Sequence, residues 1–192
     1  MADYTVIAAV SETLRKVLAT ALSTIPTNPA PTVVPLDVNA PPANISLSIF
    51  LFEVGEDPSA RNHARVRETT PPNMNIRKPP MALLLRYLMT PWGGDDDSRQ
   101  QILGRTMQVL YDKPILSGLD LQGVLAGTDE LLKVTLAPLS LEERTRVWHA
   151  VQKPYHLSVS YEVRVVNLDA ASGVNVTPVT RRTADFESLE KS

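Results

Sequence analysis

The chain contains no cysteine. This excludes disulfides, thiolate nucleophiles and cysteine-ligated zinc, and it fits a reducing compartment. Aromatic residues are scarce, at 5% of 192 residues, and only eight glycines stand against sixteen prolines. The few glycines form neither a phosphate loop nor a nucleophile elbow. Gly118, Gly123 and Gly127 lack the preceding strand that a dinucleotide fingerprint requires. Neither sign of charge dominates, since 19 basic and 21 acidic side chains leave a net charge of −2. Nothing here builds a basic face for tracking phosphates, so nucleic acid is not expected as a partner. No apolar run reaches the roughly 18 residues of a membrane span. No basic leader precedes the apolar stretch after Met1, so the expected location is cytoplasmic.

What remains is a pattern of alternating helices and strands, punctuated by proline. Val6, Ile7, Val10, Leu14, Val17, Leu18 and Leu22 recur at three- and four-residue spacing and predict a first helix, ended by Pro26 and Pro29. Thr32–Val34 and then Leu36–Val38 read as a short edge strand, because Pro35 inside it cannot donate to a ladder. Ile45–Val54 alternates apolar residues with Asn44, Ser46 and Ser48, predicting a half-buried strand. Met81–Thr90 is apolar almost throughout, as a central strand covered on both faces would be. A helix is predicted over 98–112, capped by Asp97 with Gln100 and burying Ile102, Leu103, Met107 and Leu110. Leu119–Leu125 reads as a short helix and Leu131–Leu136 as a strand. Ser140 with Glu143 opens another helix through Val151.

Tyr155–Asn167 is the clearest strand. Tyr155, Leu157, Val159, Tyr161, Val163 and Val165 alternate with His156, Ser158, Ser160, Glu162 and Arg164. One apolar and one polar face predict a mainly antiparallel or mixed sheet with helices on one side, an α/β (α+β) fold. Residues 174–183 offer a last edge strand. The expected division is a domain over 1–168 and a C-terminal arm over 169–192.

Catalytic chemistry is missing from this pattern. His63, His149 and His156 show no metal-binding spacing, and no cofactor is expected. Asp95, Asp96 and Asp97 read as carboxylates at a helix N-terminus, where they cap free N–H groups. Ser158 and Ser160 lie near His156, but alternation puts all three on a solvated face without an oxyanion hole. The polar stretch from Gly55 to Pro80 is the candidate contact surface, as a long loop of this kind is usually functional. Arg61, Asn62, Arg65, Arg67, Arg77 and Lys78 there suit docking to an acidic neighbour, or else a solvated loop. Trp92 is read either as an interface anchor or as a lid over the core edge. Trp148 is read as core.

Several stretches together carry a resemblance. They are Ser48–Phe52 followed by Arg61 and Asn62; Pro80–Thr90; Ile102–Gly104 opening a helix that ends at Leu110–Asp112 before Pro114; and Trp148 followed by Pro154–Arg164. In this order they resemble the N-terminal domain of the cap, or tail-terminator, proteins of extracellular contractile injection systems. The resemblance implies a phage tail-terminator-like α/β domain forming a six-fold ring with copies of itself. Such a ring stops growth of the inner tube and sheath and joins their ends, with no cofactor and no catalysis. It also implies a phage-tail-like particle, either released or tethered. Two alternatives are a baseplate or tail-completion adaptor of the same particle, and a small hydrolase sited on the polar face of 155–167.

Overall fold

The computed structural model describes residues 3–26, 29–37, 42, 44–60, 66–70, 73–169, 171 and 173–176. In chain order its elements are α1 (Val6–Leu22), β1 (Thr32–Pro35), β2 (Ser46–Glu56), β3 (Val66–Thr70), β4 (Asn73–Arg77), β5 (Met81–Trp92), α2 (Asp96–Asp112), β6 (Ile115–Leu116), β7 (Leu132–Leu136), α3 (Leu141–Ala150), β8 (Val159–Leu168) and β9 (Gly173–Val176). The chain forms two compact units, Met1–Asn62 with Pro80–Asp169, and His63–Pro79 with Ala170–Ser192.

The first unit is a six-stranded sheet in the order β1-β2-β5-β8-β7-β6. All neighbours are antiparallel except β1 and β2, which run parallel. β5 is central, as its continuous apolar character predicts. Leu83, Leu85, Tyr87 and Met89 pack on the face covered by α1 and α2. Leu88 and Trp92 face the other way, against Trp148, Val147 and Val151 of α3 and its exit. The sheet is therefore covered by helices on both faces, where the sequence pattern predicts one.

The strand alternation misleads at the serines. Ser46, Ser48, Ser158 and Ser160 are predicted to face solvent, yet all four are buried. α3 and the two tryptophans cover this side, and the small hydroxyls leave room for the indoles. Ser48 accepts a hydrogen bond from the Trp92 Nε1–H at 2.7 Å and donates to the Thr90 carbonyl at 3.3 Å. A buried indole N–H needs such a partner, and a serine on the sheet supplies it.

Helix α1 forms where its spacing predicts, with Val6, Val10, Leu14, Leu18 and Leu22 fully buried. Each such side chain contributes roughly 2 kcal/mol by leaving water. Helix α2 is capped differently from the prediction. Asp95, not Asp97, is the N-cap and accepts the Ser98 N–H at 2.9 Å. Asp96 and Asp97 occupy the first turn. This shift follows from Gly93 and Gly94, both at positive φ, which turn the chain sharply after β5. A Cβ on Gly93 would lie 2.7 Å from the Asn44 carbonyl carbon, so only glycine fits that turn. Met107, predicted within the buried stripe, is exposed. The short helix expected at Leu119–Leu125 is two separate 3-10 turns, Gly118–Asp120 and Gly123–Leu125.

β8 begins at Val159 rather than Tyr155, so Tyr155 and Leu157 precede the ladder and are exposed. The second unit holds a three-stranded antiparallel sheet in the order β3-β4-β9. The stretch from Gly55 to Pro80, expected as one long loop, thus carries the end of β2 and a hairpin. Its third strand comes from about a hundred residues later, a pairing that no local pattern reveals.

Candidate functional site

Among the contact residues suggested by sequence, those described fall in both units: Arg67, Arg77 and Lys78 on or beside the β3–β4 hairpin, and Trp92 in the first unit. Arg61, Asn62 and Arg65 lie outside the described residues, as does His63. Arg67 belongs to β3 and Arg77 to β4, and Lys78 follows β4 as an exposed residue. Trp92 is 8% exposed and sits in the core edge beneath α3, so within this chain it packs as a lid rather than projecting as an anchor.

The face proposed for a hydrolase serves packing instead. His156 lies between two indoles, its ring centroid 4.5 Å from Trp92 and 5.3 Å from Trp148. The two tryptophans meet edge to face at 6.1 Å. Burial, and then the charge of Arg99, holds the His156 imidazole below its ordinary pKa. Ser158 accepts from the Trp148 Nε1–H at 3.4 Å, and its carbonyl accepts from Arg144 Nη1 at 3.3 Å. Ser160 Oγ is buried without a hydrogen-bond partner among the described residues, as are the Nε atoms of Arg86 and Arg144. The sequence alternation missed this cluster because it carries no sign that α3 folds back over the strand.

Elsewhere the ionisable groups form surface networks. Arg86 bonds Glu53 at 3.0 Å and approaches Glu162 at 3.9 Å, while Arg164 bonds Glu162 at 2.8 Å. These pairs tie β2, β5 and β8 together across one face. Ser59 holds the Asp57 carboxylate below its ordinary range by hydrogen bonding. Among the described residues no three acidic or histidine side chains converge as a metal site would require. No described helix is long and apolar enough to cross a membrane.

Two grooves flank the sheet. One, about 380 Å³, lies beside β1 and is lined by Ser11, Glu12, Arg15, Leu36, Phe50 and Tyr87. The Tyr87 hydroxyl is 2.9 Å from Ser11 Oγ, and burial pushes its pKa up to about 12. The other, about 540 Å³, lies between the C-terminal half of α2 and β7, with Met107, Leu110, Tyr111, Pro114, Leu136 and Tyr161 in its walls. Neither groove presents converging acid, base and nucleophile. Met107, Tyr111 and Leu136 of the larger groove are exposed, apolar surface of the kind protein contacts use.

The fold has solved counterparts. One is the sheath/tube terminator of the PVC extracellular contractile injection system in its extended state. It aligns with a TM-score of 0.68 at 20% identity, over 96% of this chain and 64% of that one. Another is the tube-terminating cap of the anti-feeding prophage, with a TM-score of 0.61 at 18% identity, over 94% of this chain and 60% of that one. The chain thus spans less than two thirds of the length of either structure. No curated protein matches significantly in sequence. The profile of one family, described as the Pvc16 N-terminal domain, matches residues 9–182, nearly the whole chain. The chain belongs to the Pvc16 N-terminal domain family.

Proposed function

We propose that this chain is a structural cap, without catalysis, that terminates the inner tube and sheath of a phage-tail-like contractile injection particle and joins their ends. The observation that carries this reading is the family match over residues 9–182. The fold shared with a sheath/tube terminator over 96% of the chain supports it. The cap assembles in the cytoplasm as a ring of copies, six-fold by the resemblance, seated on tube and sheath subunits. A ring needs two different, complementary surfaces on each subunit. The sheet offers these at its opposite edges, β1 and β6/β7. Residues Arg61, Asn62, Arg65, Arg67, Arg77 and Lys78 are the proposed contacts to tube or sheath, where guanidinium forks orient an acidic partner.

The test is electron microscopy of particles from cells lacking this chain. The expected outcome is tubes and sheaths of irregular length with open ends. Particles of normal, uniform length would overturn the reading. A tagged chain should be seen at the end distal to the baseplate, and a baseplate position would replace the cap with an adaptor.

A further inference from the structure

The register of the β3-β4-β9 sheet sorts its residues by chemistry. Paired residues of adjacent antiparallel strands share a face, and successive residues along a strand alternate between faces. Arg67, Ile76 and Val174 therefore form one row, and Thr69, Met74 and Val176 form the next row of the same face. The opposite face holds Arg77 and, across its middle, Glu68, Asn75 and Asn175. One face is thus apolar on β4 and β9, with Arg67 at its β3 margin, and the other is polar. Arg67 and Arg77 lie on opposite faces, so they do not serve one contact. An apolar sheet face gains stability when another layer covers it. Among the described residues, the unit that holds this sheet has no helix and no second sheet to do so.

The groove between α2 and β7 has the complementary chemistry. Met107, Tyr111 and Leu136 stand exposed in its walls, and Tyr111 is 85% exposed. Asp112 follows Tyr111 at the end of α2 and has no partner among the described residues. The adjacent Lys113 is taken by Asp120 at 2.7 Å, and the last turn of α2 holds no basic residue. The negative end of the helix dipole adds to the Asp112 charge. An apolar surface bordered by one uncompensated carboxylate thus matches an apolar face with one arginine on its margin.

A ring needs two different surfaces that complement one another. This chain carries both, so each copy can give one and receive the other, and the cycle covers every apolar face it brings. We infer that in the assembled ring the apolar face of the β3-β4-β9 sheet of one copy seats on the α2/β7 groove of the next copy, with Arg67 against Asp112. This rests on the ring proposed above. It keeps the β6/β7 side as one ring surface and gives the other to the second unit. It assigns Arg67 to the neighbouring copy, while Arg77, on the polar face, stays with tube or sheath.

The absence of cysteine makes the test direct. A full-length Asp112→Cys chain is produced together with a tagged Arg67→Cys, Glu68→Cys or Thr69→Cys chain in cells that make the whole particle, and the lysate is oxidised. Arg67→Cys and Thr69→Cys should each give a cross-linked heterodimer at twice 21.1 kDa, at least about tenfold above Glu68→Cys, which lies on the other face. In a second arm, Arg67→Asp alone and Asp112→Arg alone should each give particles of irregular length, and both in one chain should restore uniform length. Absence of the heterodimer, or equal yields from the three positions, overturns the contact. So does a chain carrying Arg67→Cys and Asp112→Cys that closes only on itself, or a charge swap that restores nothing. Unchanged circular dichroism of each variant keeps misfolding from imitating a loss. The cross-link does not depend on capping. A heterodimer in cells whose particles do not need the chain would keep the contact and remove the cap reading, and the reverse result would remove the contact alone.

Discussion

At the scale of single residues, His156 couples stability to pH. An imidazole between two indoles loses water on both faces, and the nearby Arg99 charge disfavours a second positive charge. Its folded-state pKa therefore lies below the ordinary 6.5. The unfolded chain takes up the proton first as pH falls. The stabilisation is complete above 6.5 and is lost as pH drops through the folded value. Thermal unfolding followed by tryptophan fluorescence should show a melting temperature that declines below about pH 6.5. The decline should be reduced in a His156→Phe variant. Equal slopes in the two proteins would show that the imidazole is not buried between the indoles.

Helix α3 is the element most dependent on a few contacts. Trp148 alone of its side chains is fully buried. Its start is tied by a capping box, with the Ser140 N–H bonded to the Glu143 carboxylate at 2.8 Å and the Glu143 N–H to Ser140 Oγ at 3.2 Å. Its exit passes through Gln152 at φ 55°, the one non-glycine residue at positive φ among those described. The helix is held on the sheet by this indole, with the half-buried Val147 and Val151 and the Arg144 bond to the Ser158 carbonyl beside it. Trp148→Ala should cost about 3–5 kcal/mol in urea unfolding, because a large cavity opens beneath the helix. Ser140→Ala should cost about 1 kcal/mol through loss of the cap alone. A Trp148→Ala loss no greater than that of Ser140→Ala would contradict the packing described.

For the whole molecule the question is which surface meets the tube or sheath. The first unit presents a sheet shielded on both faces, so its remaining contact sites are edges, grooves and the segments that leave it. The second unit holds the β3–β4 hairpin and β9, and with them Arg67, Arg77 and Lys78. Reversing charge at Arg61, Arg65 and Arg67 together should yield folded protein that no longer caps particles. Particle-length distributions in cells carrying the triple variant provide the measurement. Normal lengths would assign the contact to another surface.

The local elements were legible in the amino acids. α1 and α3 carry period and capping signals strong enough to place them within a residue or two, and the apolar run of Met81–Thr90 made β5 central. The strand through Val159 was plain from its alternation. Tertiary structure decided the rest. It buried Ser46, Ser48, Ser158 and Ser160, turned the expected loop into a hairpin paired with β9, and placed His156 between two tryptophans. The reason is range. Periodicity and capping act over a few residues, so one segment reports them. Which face a distant helix covers, and which strand edge stays open, depends on contacts between segments far apart in the chain.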